Sequence, residues 1–110
     1  MKISLLYPFR DGKVITWRRV KDIDYLQGDD KCTRFHFANG KVITETGSIG
    51  MHALRLIGTG FFCMIHRSFT VNLKAIREVK TDGTVLLRSG IDLLCAKTRL
   101  DELLQRFNIL

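Results

Sequence analysis

The stretch Cys32–Glu45 constrains the fold more than any other part of the chain. Cys32–Phe37 alternates, with Cys32, Arg34 and His36 on one face and Thr33, Phe35 and Phe37 on the other. Ala38-Asn39-Gly40-Lys41 then sets Asn-Gly ahead of another strand-forming run, Val42–Glu45. Successive strand side chains point to opposite faces, and Asn-Gly supplies the backbone freedom that a tight reversal needs. The segment therefore reads as an antiparallel hairpin. A second hairpin follows from Thr84–Arg88 and Ile91–Ala96 around Ser89-Gly90, with Thr81-Asp82-Gly83 as the turn that precedes it.

Other short apolar runs extend this pattern. Lys2–Tyr7 is rich in strand formers, and Pro8 with Asp11-Gly12 predicts that it ends in a turn, as an edge strand or packing arm. Lys13–Trp17 and Val20–Leu26 follow, the latter with Ile23 and Tyr25 inward, until Gly28-Asp29-Asp30-Lys31 breaks the pattern as a polar loop. Further strands are expected in Phe61–Ile65 and Phe69–Leu73, and the charged segment Lys74–Lys80 carries Ile76 and Val79 inward. Ile49, Ala53, Leu54, Leu56 and Ile57 suit a short helix, weakened at its start by Gly47 and Gly50 and stopped by Gly58 and Gly60. Leu100, Leu103, Leu104 and Phe107 form a single helical stripe, with Asp101 and Glu102 near its start and Arg106 near its end. The class is mainly β, with eight or nine short strands, one short helix and a C-terminal helix packed on the sheets. At 110 residues the chain suits one core, with residues 1–12 as an N-terminal strand or arm and 13–110 as the domain.

Charge narrows the function. Eighteen Lys and Arg against eleven Asp and Glu leave a net +7, a field that draws polyanions and makes nucleic acid the first partner to test. Cys32, Cys63 and Cys95 are odd in number and never spaced as C-x-x-C, which predicts reduced thiols with no disulfide framework and no zinc site. Cys63 and Cys95 sit in apolar runs where inert buried thiols are usual, so no Cys–His nucleophile pair is expected with His66. No phosphate-cradling glycine motif is present, and neither an enzyme, a metal nor a cofactor is expected. No apolar run approaches the roughly 18–20 residues that span a bilayer, and no export signal opens the chain, so a cytoplasmic protein without membrane contact is expected.

The basic side chains gather at three places beside turns or strand ends: Lys31 and Arg34, His66 and Arg67, Lys97 and Arg99. Arg can fork two bonds to guanine O6 and N7, Lys and Ser can hold phosphates, and Thr can offer a hydroxyl or a methyl to a base edge. Any single one of these charges is as well explained by a solvated loop. Asn72 is expected to hold local backbone. His66 could be a half-buried hydrogen-bonded residue or a phosphate donor. Trp17 is expected to fill a core or interface gap, because a duplex offers no unstacked base. Nothing places Arg18, Arg19 or Arg88.

The order of these segments is recognisable. Phe61-Phe62-Cys63-Met64-Ile65-His66-Arg67-Ser68-Phe69-Thr70-Val71-Asn72-Leu73 resembles the "F-x-x-I-H-R-S-Y/F-x-V-N" run of LytTR domains, which follows a short helix. Upstream, Val20–Leu26 resembles the "I-x-Y-I-E" strand of that family. Downstream, Ile76 to Arg99 resembles its two strands joined by "G-x-x-I-x-x-S-R". The resemblance spans about Lys13 to Phe107. It implies an elongated stack of small antiparallel β-sheets whose loops enter successive major grooves of double-stranded DNA at promoter direct repeats. By position, it implies three reading points: Lys31 and Arg34 with Thr33 central, Arg67 flanked by His66 and Ser68, and Arg99 beside Lys97 and Thr98. A transcription regulator, or the output domain of a response regulator, acting as two copies on the DNA is the leading expectation; the signalling partner is left open. The alternative is a protein-interaction module that pairs a sheet edge, that of Lys2–Tyr7, without specific DNA binding. An RNA binder would need exposed aromatics at strand centres, and the alternation of Phe35 and Phe37 marks them as core.

Overall fold

The computed structural model describes residues 5–108. Among these, ten strands form three antiparallel sheets of five, three and two strands, with two α-helices. The chain opens on a hairpin of β1 (Leu6–Asp11) and β2 (Val14–Arg19), then makes a 3-10 turn at Val20–Asp22. The central sheet takes β3 (Ile23–Asp29), β4 (Cys32–Phe37), β5 (Val42–Thr46), β6 (Phe62–His66) and β7 (Phe69–Asn72), in the order β5-β4-β3-β7-β6. Helix α1 (Ile49–Ile57) joins β5 to β6. The small sheet holds β8 (Ile76–Val79), β9 (Thr84–Leu87) and β10 (Asp92–Leu94), and α2 (Lys97–Asn108) closes the described chain.

Three hairpins use one device. In Ala38-Asn39-Gly40, Thr81-Asp82-Gly83 and Arg88-Ser89-Gly90 the glycine N–H returns to the carbonyl of the residue before the loop. Each glycine has positive φ, at +89°, +98° and +90°, which an L side chain rarely adopts. A glycine at the last position of a three-residue loop lets the strands continue in their native twist. Asn-Gly, Asp-Gly and Ser-Gly were therefore informative about both the turn and its register.

Pro8 does not end a strand. Arg10 donates its backbone N–H to Glu45 Oε1 at 2.8 Å, away from β2, and Pro8 lies two residues earlier with its nitrogen on that same side. The missing donor is one the β1–β2 ladder does not use, so the strand runs through it and turns at Gly12-Lys13. Of the expected strand Lys2–Tyr7, residues 2–4 lie outside the described residues. Tyr7 and Phe9 point inward and pack against Phe35 at ring-centroid distances of 5.3 and 4.8 Å.

The central sheet is covered on both faces. On one, β1 and α1 enclose Tyr7, Phe9, Ile23, Leu26, Phe35, Phe37, Leu56 and Phe62. On the other, the small sheet and α2 enclose Tyr25, Ile65, Val71, Val85, Leu87, Leu93 and Leu103 with the two buried cysteines. Ile23-Asp24-Tyr25-Leu26 is consequently buried throughout, where alternation had predicted one inward face. Leu54 departs from the expected apolar stripe at 76% exposure; α1 buries the expected Ala53 and Leu56 and, with them, His52. His52 donates Nε2–H to the Thr46 carbonyl at 2.9 Å and accepts the Tyr7 hydroxyl on Nδ1 at 2.6 Å, joining helix, sheet and hairpin.

Asp24 is the cost of burying β3 on both faces. Its carboxylate is 1% exposed and accepts Arg88 Nε at 2.9 Å and Nη2 at 2.8 Å through Oδ1, while Arg88 also donates to the Lys21 carbonyl. Arg88, which the sequence left unplaced, thus clamps the β9–β10 turn to the central sheet. Arg88→Met leaves a buried, unpaired carboxylate; allowing for the half-exposed guanidinium, it should lower unfolding free energy by about 2 kcal/mol, read from the urea midpoint at unchanged m.

Candidate nucleic-acid interface

Register brings the first two basic groups together. Gln27 on β3 faces Arg34 on β4 and Phe69 on β7, so the β3–β4 and β6–β7 turns emerge at one end of the central sheet. Gly28 donates its N–H to the Ser68 carbonyl at 2.9 Å, tying the turns directly. A Cβ at Gly28 would lie 2.8 Å from Ile49 Cγ2, so the glycine serves close approach of α1 and not a turn. The left-handed turn residue is Asp30, at φ +45°, a conformation that Asp tolerates better than most.

The third group reaches the same end through α2. Ala96 donates to the Ile65 carbonyl at 2.7 Å, so the helix starts where β6 ends. Lys97, Thr98 and Arg99 form the first turn of this helix, not a loop, and no acidic residue occurs in that turn. Asp101 and Glu102 consequently lie further along the helix than expected. Gly47 donates to the Lys31 carbonyl at 2.8 Å, which adds the start of α1, capped by Ser48 Oγ on the Met51 N–H, to the same edge. An open depression of about 220 Å³ between these elements is lined by Gly28, Asp29, Asp30, Ser48, Ile49, Arg67 and Ser68.

The individual side chains differ in what they can do. Lys31, Arg67, Lys97 and Thr98 are exposed, and Arg99, His66 and Ser68 are half-buried. His66 accepts the Ser68 N–H on Nδ1 at 3.1 Å, which shapes the tight turn that projects Arg67. Arg34 is held by Asp29 at 2.7 Å, so the nearby acid orients one cation and offsets its charge. Thr33 is the correction: it is fully buried and donates its hydroxyl to the Gly47 carbonyl at 3.0 Å. It braces the edge from beneath and has no surface to offer a base. Asn72 is buried as well, donating Nδ2 to the Ile23 carbonyl and accepting the Lys74 N–H, which is the backbone role expected of it.

Burial pushes the thiols of Cys63 and Cys95 above their ordinary pKa, which leaves them mostly protonated and weakly nucleophilic at neutral pH. Among the described residues no three His, Cys, Asp or Glu side chains group as a metal site, and no helix is long and apolar enough to cross a membrane. Trp17 is 60% exposed, which rules out a core role. The signal for the Thr33 brace was its place with Phe35 and Phe37 on the inward face. Thr33→Val should lower stability by about 1 kcal/mol in a denaturant titration, since it leaves the Gly47 carbonyl without its partner.

Comparison with known proteins agrees with this architecture. A comparison with curated protein sequences found no match. A solved LytTr DNA-binding domain from Bacillus cereus superposes with a TM-score of 0.75 at 18% identity, over 96% of this chain and 98% of that one, a likeness of fold. The family model described as the LytTr DNA-binding domain matches residues 14–108. The chain therefore belongs to the LytTR family of DNA-binding domains.

Proposed function

We propose that this domain is a sequence-specific regulator of transcription, or its output domain, that reads promoter repeats in double-stranded DNA through the edge just described. The observation that carries the reading is the backbone link from Gly28 to Ser68 and from Ala96 to Ile65, which sets three basic groups on one end of a rigid sheet. Arg67, exposed at the tip of a four-residue reversal, and Arg99, in the first helical turn, act as base readers in the major groove. Lys31, Arg34, Lys97, Thr98, Ser68 and His66 hold phosphates or flank the readers. Phosphate contacts fix register and orientation, and base contacts supply preference. Two copies occupy adjacent half-sites as a homodimer on the DNA.

Rigid elements suit this task. A reader on a turn held by the Ser68 N–H on His66 Nδ1 and the Gly28 N–H on the Ser68 carbonyl loses less freedom on binding than one on a long loop, so more of its contact energy appears as affinity. Asp29 beside Arg34 also sharpens discrimination, because a carboxylate close to the groove penalises any docking that does not seat the neighbouring cations.

Selection of bound duplexes from a random pool at moderate salt should enrich a repeated motif. Arg67→Ala and Arg99→Ala should each cost roughly 1–3 kcal/mol on that motif and relax base preference locally, as expected for a bidentate reader. Lys97→Ala should instead weaken all sequences evenly and reduce the salt dependence of binding. Folded protein that enriches no motif would overturn the reading.

A further inference from the structure

We infer that the free edge of β2 pairs with β2 of a second copy of this chain, antiparallel, to join two hairpins into one four-stranded sheet. Among the described residues β2 is hydrogen-bonded only to β1. Its sequence, Val-Ile-Thr-Trp-Arg-Arg, has strong strand formers and no proline, and every residue but the half-buried Arg18 is exposed. Natural edges are usually guarded. On β1 the guard is present, since Pro8 and the Arg10–Glu45 bond occupy its outer side; among the described residues β2 has no proline, bulge or covering segment, only the charges of Arg18 and Arg19 at its end.

The direction of the unpaired groups follows from β1. Arg10 turns its N–H away from β2, so its partner Ile15 belongs to a pair without ladder hydrogen bonds and turns its own N–H and carbonyl outward. Trp17 and Arg19, two and four residues on, do the same. The space they face is open: a groove of about 420 Å³ lies beside Trp17, Arg18 and Arg19, bounded by Ala38 and Asn39.

A second β2 fits this edge in one favoured register. With Thr16 on the two-fold axis, Ile15 of each copy exchanges two hydrogen bonds with Trp17 of the other, and Val14 stands opposite Arg18. Aromatic with β-branched pairs and Thr with Thr are among the stabilising cross-strand combinations. Sheet parity is kept, so Leu6, Pro8, Ile15 and Trp17 of both copies share one outward face, with Arg10 and, opposite Lys13 of the other copy, Arg19 at its ends. A shift that places Trp17 on the axis would bring the two Arg18 side chains two residues apart; with Thr16 on the axis they stand four apart, at about 13 Å, beyond a physiological screening length.

The same geometry explains how this contact would be used. A six-residue edge buries far less than the roughly 800 Å² per partner of a stable complex, so the contact is weak in dilute solution. It forms where two copies are brought together in a two-fold arrangement, as inverted and not direct half-sites would hold them, so that effective concentration replaces affinity. The pairing itself does not depend on the DNA reading, and β2 lies toward Ala38–Thr44, at the opposite end of β4 and β5 from the basic edge, which stays open.

A covalent trap tests this without DNA. In a Cys32→Ser background, Thr16→Cys places two thiols across a pair whose Cα atoms are about 4.5 Å apart, within disulfide range, so oxidation should give dimer about tenfold faster than Thr81→Cys on an exposed turn. Adding Ile15→Pro removes an outward N–H that β1 does not use and should abolish the excess at unchanged circular dichroism. Should that variant fail to fold, Val14→Cys mixed with Arg18→Cys should give the mixed dimer faster than either gives its own. Equal rates for Thr16→Cys and Thr81→Cys, or an excess that survives Ile15→Pro in folded protein, or no preference for the mixed dimer, would overturn the pairing. Each result is read apart from DNA affinity.

Discussion

Everything else in this domain hangs on β3, a strand with partners on both edges and packing on both faces. Its two neighbours, β4 and β7, bring their turns to the same end because Gln27 faces Arg34 on one side and Phe69 on the other. The same burial that makes β3 a reference frame imposes a cost at Asp24, met by the guanidinium of Arg88 and its two contacts to one carboxylate oxygen. The second oxygen, Oδ2, has no partner among the described residues, so the ion pair is the main compensation for that buried charge. A rigid frame is what a loop reader needs, since the contacts it makes are only as well placed as the strands that carry them.

Function at such an edge is a matter of arrangement more than of unusual residues. None of the cations is in a special environment on its own; Arg34 is even paired within the chain. What distinguishes the site is that backbone hydrogen bonds at Gly28, Gly47 and Ala96 fix turn to turn and turn to helix. Buried side chains, chiefly Thr33 and Asn72, then hold the strands from which those turns project. The β2 edge lies at the other side of the molecule, so the proposed pairing with a copy and the proposed DNA contact would use separate surfaces.

Much of this was legible in the residues. The glycines at 40, 83 and 90 located three reversals because only positive φ closes such loops, and the alternation around Phe35 told which face was core. The family resemblance carried by Phe61–Leu73 named the domain, and charge alone had already selected the three basic groups. Other features were illegible for physical reasons. Pro8 looked like a stop because a sequence does not reveal which side of a strand its nitrogen faces. Asp24 looked like an outward residue because alternation assumes one covered face, and Arg88 could not be assigned to it across 64 residues. Lys97–Arg99 read as loop because a basic helix start runs against the dipole rule, and Ala96 gives no capping side chain. His52, buried beside Ala53 and Leu56, was absent from the expected stripe because that stripe was drawn from apolar residues alone.

Backbone amide chemical shifts during titration with a duplex carrying the selected motif test the central claim most directly. If three linked groups form one reading edge, the perturbed amides will be those of Gly28–Arg34, His66–Phe69 and Ala96–Leu100 together, while those of Gly40 and Gly90 at the far turns stay unchanged. Perturbation concentrated at Gly40 and Gly90, or in only one of the three segments, would show that the edge does not act as a unit and would contradict the account.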